Sequence, residues 1–217
     1  MELLDHILKT HSGRDKGLRL INYSCLLLSS AIRNRKLSSK FVTIANEVSQ
    51  CRTTLRLFDD LIMLRYSLAY GLGKEEPDLV LKWIGVINNI VDQIYYPVEH
   101  VAWAADKKLI NIHSKSWWNA CTILWGISLY LGIIRAFRYL RIQQQKRRKC
   151  LTLSEKENIY ELFEILTIIQ NCFDLCNAIH WLPKGFLWSQ QLQQWQVGLF
   201  GVMSSVIILY KYLQTTK

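Results

Sequence analysis

Cys172, Cys176 and His180 stand at i, i+4 and i+8, so a single helix face carries two thiols and an imidazole. A zinc site on that face would need a fourth donor or a water, and a second shell to orient the imidazole. No such group stands at a matching spacing. The trio therefore reads as two packed thiols and a capped histidine. His6, His11, His100 and His113 form no HExxH pattern. Asp59 and Asp60 are adjacent acids, which point apart on a helix and solvate. The sequence contains no GxSxG, no P-loop and no GxGxxG. The expectation is a protein that is not an enzyme, with no catalytic residue, no metal and no cofactor.

What remains is the chemistry of charge and apolar surface. The 217 residues carry a net charge of +10, and half of them are hydrophobic. That charge favours an anionic partner. Its densest run is Arg135, Arg138, Arg141, Lys146, Arg147, Arg148 and Lys149, with no acid among them. The run directly follows an apolar stretch, which favours lipid headgroups and argues against nucleic acid. Ten glycines, three prolines and no β-like alternation make the fold all-α.

The apolar stretch is Ser116 to Ile134, nineteen residues without a charge. As a helix it reaches about 28 Å, close to the hydrocarbon thickness of a bilayer. Trp117 and Trp118 stand at one end, at headgroup depth. A second, shorter apolar segment runs from Trp195 to Tyr210, with Lys211 placed to snorkel. Ser128 with Gly132 and Gly201 with Ser205 are spaced for small-residue helix packing, and Gly198 extends the second face. Residues 165–183 carry Asp174 and two asparagines, so this stretch is expected to pack at the interface and not to span.

Ahead of the first span lie amphipathic helices. Residues 2–11 read as a short helix broken near Ser12 and Gly13, and Arg14 to Arg33 as another. The uncharged part of the latter, Leu20 to Ile32, is too short to span. A helix from Ser38 or Ser39 to Gly71 carries Phe41, Ile44, Val48, Leu55 and Phe58 on one stripe. Pro77 fits the first turn of the next helix. Val80, Ile84, Ile87, Val91 and Ile94 then repeat every seven residues in steps of four and three, as in a helix–helix seam. Pro97 is expected to kink or interrupt it. Ser154 with Glu157 forms a capping box. These helices either pack on one another or a second copy, or lie in a membrane surface with the apolar side in lipid.

The fold expected is thus an integral membrane protein with amphipathic N-terminal helices and two transmembrane helices. Its regions are 1–115 (amphipathic), 116–134 (first span), 135–194 (basic stretch and helical connector) and 195–217 (second span and tail). The start, MELLDHILKT, is no secretory signal, and neither Glu2 nor the QTTK end fits a lipidation motif. Six cysteines without a CxxC are expected to be reduced and mostly buried.

Four motifs carry a family resemblance: CRTTLRLFDDLIMLRYSLAYGLG (51–73), YYPVEHVAWAAD (95–106), AIHWLPKGFLW (178–188) and VGLFGVMSSVI (197–207). With them the chain resembles the peroxin-eleven family of peroxisomal membrane proteins, most closely its gamma, or C, type. The loop around 142–158 matches least. The resemblance implies a non-enzymatic protein of the peroxisomal membrane that inserts amphipathic helices, elongates the membrane and prepares peroxisomes for fission. It implies homo-oligomers, and hetero-oligomers with alpha and beta members. It further implies a tail-anchored fission adaptor and a dynamin-type GTPase as partners, and cytosolic termini with two spans. Under that topology the basic run is lumenal, against the positive-inside rule, and serves as a targeting signal. The competing expectation is a small-solute channel component, with Asn119, Thr122 and Asp174 along a polar path.

Overall fold

The computed structural model describes residues 7–149 and 155–215. The capping box at Ser154 and the start of the short N-terminal helix lie outside them, as does the side chain of Lys149. Among the described residues the chain is α-helical: α1 (His11–Ala31), α2 (Arg35–Arg56), α3 (Asp60–Tyr70), α4 (Leu79–Asp106), α5 (Ser114–Lys149), α6 (Glu155–Trp181) and α7 (Gln194–Thr215).

Side-chain caps set the starts. Thr10 Oγ1 accepts from the Gly13 amide, so the break near the N-terminus falls at Thr10 and not at Ser12–Gly13. Asn34, not Ser38 or Ser39, caps α2 by accepting from Lys36 and Leu37. Ser38 instead donates to the Ser29 carbonyl and ties α2 back to α1. Asp78 caps α4 by accepting from Val80 and Leu81, which leaves Pro77 ahead of the helix.

Two helix boundaries differ from the sequence expectation. The single helix expected up to Gly71 is divided at residues 57–59, where tight i to i+3 bonds replace the α-helical ladder. The Leu57 carbonyl released there lies 3.2 Å from Nε2 of His100 on α4. Pro97, by contrast, does not interrupt α4, which runs unbroken for 28 residues. Pro97 is exposed, and Glu99 and Ala102 on the buried side fix the helix beyond it.

Each helix packs on a neighbour in the order α2–α1–α7–α6–α5–α4–α3. Small residues allow the close approaches. A Cβ on Gly198 would stand 2.7 Å from the Leu27 backbone nitrogen, and one on Gly201 would collide with the Tyr23 ring. On α5, a Cβ on Gly132 would stand 2.6 Å from Asn171 Nδ2 of α6. The stretch Leu20–Ile32 is therefore laid along α7.

Among the described residues three helices, where two are expected from the sequence, are by length and composition long and apolar enough to cross a membrane: Ser114–Arg148, Ile159–Trp181 and Gln194–Thr215. The polar groups of α6 that argued against a span are internal. Asp174 meets Arg19 and Ser204, and Asn177 donates to the Val197 carbonyl. A buried, paired polar group removes the objection that an exposed one raises.

Candidate membrane-active surface and the polar interior behind it

Apolar side chains lie mainly on the outside of this bundle, and paired charges lie inside it. On α4, Val80, Trp83, Ile87, Ile90 and Ile94 are all exposed and form one row in steps of three and four. The seam read from the sequence thus has its Val80, Ile87 and Ile94 members facing outward, while Ile84 and Val91 are half-buried at its edge. On α2, Ile44 is exposed, Phe41, Val48 and Leu55 are half-buried, and Phe58 just beyond the helix is 73% exposed. α3 has no buried residue, and Leu61, Ile62, Leu64 and Leu68 are exposed around it. Apolar surface on this scale is not stable against water and marks a lipid or protein contact.

The opposite faces carry the charges. Arg19 on α1 donates to Asp174 on α6 at 2.5 Å and to Ser204 on α7 at 2.7 Å, with Asp174 only 2% exposed. Arg52 on α2 pairs with Asp15 on α1 at 2.8 Å. Arg56 on α2 pairs with Glu99 on α4, which also accepts from the Tyr95 hydroxyl. Burial pushes the Asp15 carboxyl up, but the hydrogen bond and charge of Arg52 outweigh it and hold the group below its ordinary value. Taking these charges out of water is costly unless each is paired, and each of these is. Between them is a cavity of about 900 Å³, lined among others by Arg19, Arg52, Arg56, Asp92, Tyr95 and Thr122.

These pairs were not read from the sequence. The sequence places Arg52 and Arg56 on the polar side of their helix, where solvent would be the default. Their partners lie 37 and 43 residues away, and no local signal names them.

The basic run continues α5 as helix. Arg135, Arg141, Lys146, Arg147 and Arg148 are exposed, and Arg147 pairs with Glu161 of α6 at 3.1 Å. Arg138 is used internally: its Nη2 lies 2.6 Å from Asp78 Oδ2, at the cap of α4. The Arg138 hydrogen bond holds the Asp78 carboxyl below its ordinary value. Of the small residues, Gly198, Gly201 and Ser205 face α1, Gly132 faces α6, and Ser128 lies beside Asp92.

Helix directions place the two ends of the chain. Thr10 Oγ1 and Tyr212 Oη meet at 2.5 Å, so α1 begins where α7 finishes. The first half of α6 touches both the basic end of α5, through Arg147–Glu161, and the end of α7, through Thr167–Lys211. The basic run, the start of α1 and the end of α7 therefore share one side of the bundle.

The Cys172, Cys176 and His180 face is a clasp. His180 Nδ1 accepts from the Leu192 amide, and the Cys176 carbonyl accepts from Trp188 Nε1. Among the described residues no three His, Cys, Asp or Glu side chains are grouped to hold a metal. Five described cysteines are free, but only Cys25 and Cys121 are buried; Cys51 and Cys172 are exposed.

The chain matches the family Peroxisomal biogenesis factor 11 over residues 1–213. Peroxisomal membrane protein 11C of Mus musculus is 38% identical over 224 residues, covering 95% of this chain and 93% of that protein. The protein of the same name from Homo sapiens is 37% identical over 218 residues, covering 94% and 90%. No solved structure matches.

Proposed function

The chain belongs to the peroxisomal biogenesis factor 11 family, and from that premise we propose that the outward apolar row of α4, with α3 beside it, enters and bends the membrane. The protein is a multi-pass peroxisomal membrane protein that acts in the elongation of that membrane. The observation that carries the mechanism is the row Val80, Trp83, Ile87, Ile90 and Ile94, exposed along a helix whose inner face is tied down by Glu99. Apolar area added to one leaflet expands it relative to the other and favours curvature. Helices α5 to α7 hold that area in place, and the α2 stripe through Ile44 and Phe58 extends it. Peptides covering 38–72 and 74–106 test this. The reading requires the second to bind and deform anionic liposomes, and it fails if that peptide does not.

Three spans give a topology consistent with the charges. α5 and α7 then leave the membrane on the same face, together with the N-terminal end of α1. With the C-terminus cytosolic, the run 135–149 is cytosolic too, in keeping with the positive-inside rule; the start of α5 is then lumenal, so a cytosolic N-terminus requires one further crossing ahead of α5. On the cytosolic face the exposed bases of the run contact anionic headgroups or a targeting receptor. The same face presents the chain to a tail-anchored fission adaptor and, through it, a dynamin-type GTPase. The outward rows also suit lateral contact with further copies and with alpha and beta family members.

A second reading rests on the interior cavity. A partly open cavity of about 900 Å³ with a mixed polar and apolar lining inside a membrane bundle suits a small-solute path, with Thr122 on its wall. Solute flux through reconstituted full-length protein separates the two readings.

A further inference from the structure

We propose that the outer groove between α5 and α6 holds an acyl chain of an anionic phospholipid from the surrounding bilayer, with its phosphate at Lys184. The inference rests on α5 and α6 lying in the membrane.

The groove has a volume of about 840 Å³, within the range of ligand sites. Its walls are Ile123, Gly126 and Ile127 of α5, Leu175 of α6 and Leu182 just beyond it, with Phe186 of the following loop at its end. Almost all of its lining is apolar, in contrast to the chamber between Arg19 and Arg56.

Gly126 is the telling residue. Glycine inside a helix is less favourable than alanine by about 1 kcal/mol, so it needs a reason. At Gly132, Gly198 and Gly201 the reason is a neighbour that a Cβ would strike. At Gly126 the nearest group is Leu175 Cδ1, at 4.0 Å, an ordinary contact. Packing within the chain does not require glycine there. Its missing side chain keeps the groove open.

Lys184 stands at the mouth of the groove, exposed and without an ion-pair partner among the described residues. Its backbone is held in place. Trp188 Nε1 bonds the Cys176 carbonyl, and the Gln190 amide bonds the His180 carbonyl, so the loop is pinned to the end of α6 at two points. A chain that moves from bilayer to groove gains little from apolar burial, since both surroundings are apolar. Preference must therefore come from the headgroup, and an unneutralised lysine beside it selects an anion.

The test uses full-length protein in phosphatidylcholine vesicles carrying photoactivatable acyl-chain probes, either phosphatidylinositol or phosphatidylcholine. Expected is labelling of the α5–α6 groove residues, stronger with phosphatidylinositol. Lys184→Gln should cut the phosphatidylinositol-to-phosphatidylcholine labelling ratio about fivefold, the worth of one lysine beside anionic lipid. Gly126→Leu should remove groove labelling by both probes. Both variants should still resist carbonate extraction and still elongate vesicles, which separates failure here from failure of the elongation reading. Label spread evenly over α5 to α7, or an unchanged ratio in Lys184→Gln, overturns the proposal. So does a cross-link from the groove to a second copy of the chain. Should Gly126→Leu fail to insert, the Lys184→Gln ratio alone decides.

Discussion

Arg56 of α2 and Glu99 of α4 form an ion pair with Nη2 and Oε1 2.5 Å apart, and Glu99 is 1% exposed. α2 and α4 make little other contact, so this pair, with His100 at the Leu57 carbonyl, joins the α1–α2 half of the bundle to the α4–α5 half. Removing one partner strands a charge. Glu99→Ala should destabilise the protein in detergent by roughly 3 kcal/mol, whereas Arg56→Met with Glu99→Leu should recover much of the loss. Thermal unfolding followed by tryptophan fluorescence checks both. A double variant as unstable as Glu99→Ala would refute the pairing argument.

The α1–α7 contact gives a second prediction. Gly201→Val puts branched carbons where the Tyr23 ring lies. α1 should lift from α7, and Tyr23→Ala should restore the contact by vacating the space. Cysteines at Thr10 and Tyr212 joined by a long bismaleimide report it: cross-linking should fall in Gly201→Val and return in the double variant.

Asp78 supplies a pH dependence. Its carboxyl is held below the ordinary value of 3.8 by the bond from Arg138. A depressed native value stabilises the fold above the unfolded-state value, and that contribution is lost as pH falls through the native one. Asp78→Asn should therefore lower the unfolding temperature at neutral pH. The gap from the parent should close only below about pH 4. A gap that is unchanged at pH 3 would contradict the assignment.

Much of the architecture is legible in the sequence. The seven-residue repeat from Val80 to Ile94 reveals α4, and the uncharged run from Ser116 reveals the first span. What the repeat does not reveal is which side of α4 faces the protein. An apolar stripe turns inward in water and outward in lipid, and periodicity is the same in both cases. The surroundings are settled by the other face, where Glu99 and Ala102 are buried. The third candidate span was hidden for a related reason. Asp174 costs little in a membrane once Arg19 covers it, but those residues are 155 positions apart. Of the motifs that carry the resemblance, only some members lie on this interior: Arg52, Glu99, Gly198, Gly201, Ser204 and Ser205 are buried.

Topology is open to direct assay. A protease-sensitive tag at position 150 should be cleaved in intact peroxisomes, because the basic end of α5 shares a side with the end of α7. Protection of that tag, with cleavage of one at the C-terminus, would restore two spans and a lumenal basic run.

The central claim is that the outward row of α4 lies in lipid and drives elongation. Its most direct measurement is vesicle elongation by full-length protein carrying Trp83→Ser, Ile87→Ser and Ile90→Ser. These side chains are exposed, so the bundle and its carbonate resistance should be unchanged. The account predicts a membrane-inserted variant that no longer elongates vesicles. A variant that inserts and elongates as well as the parent would contradict it.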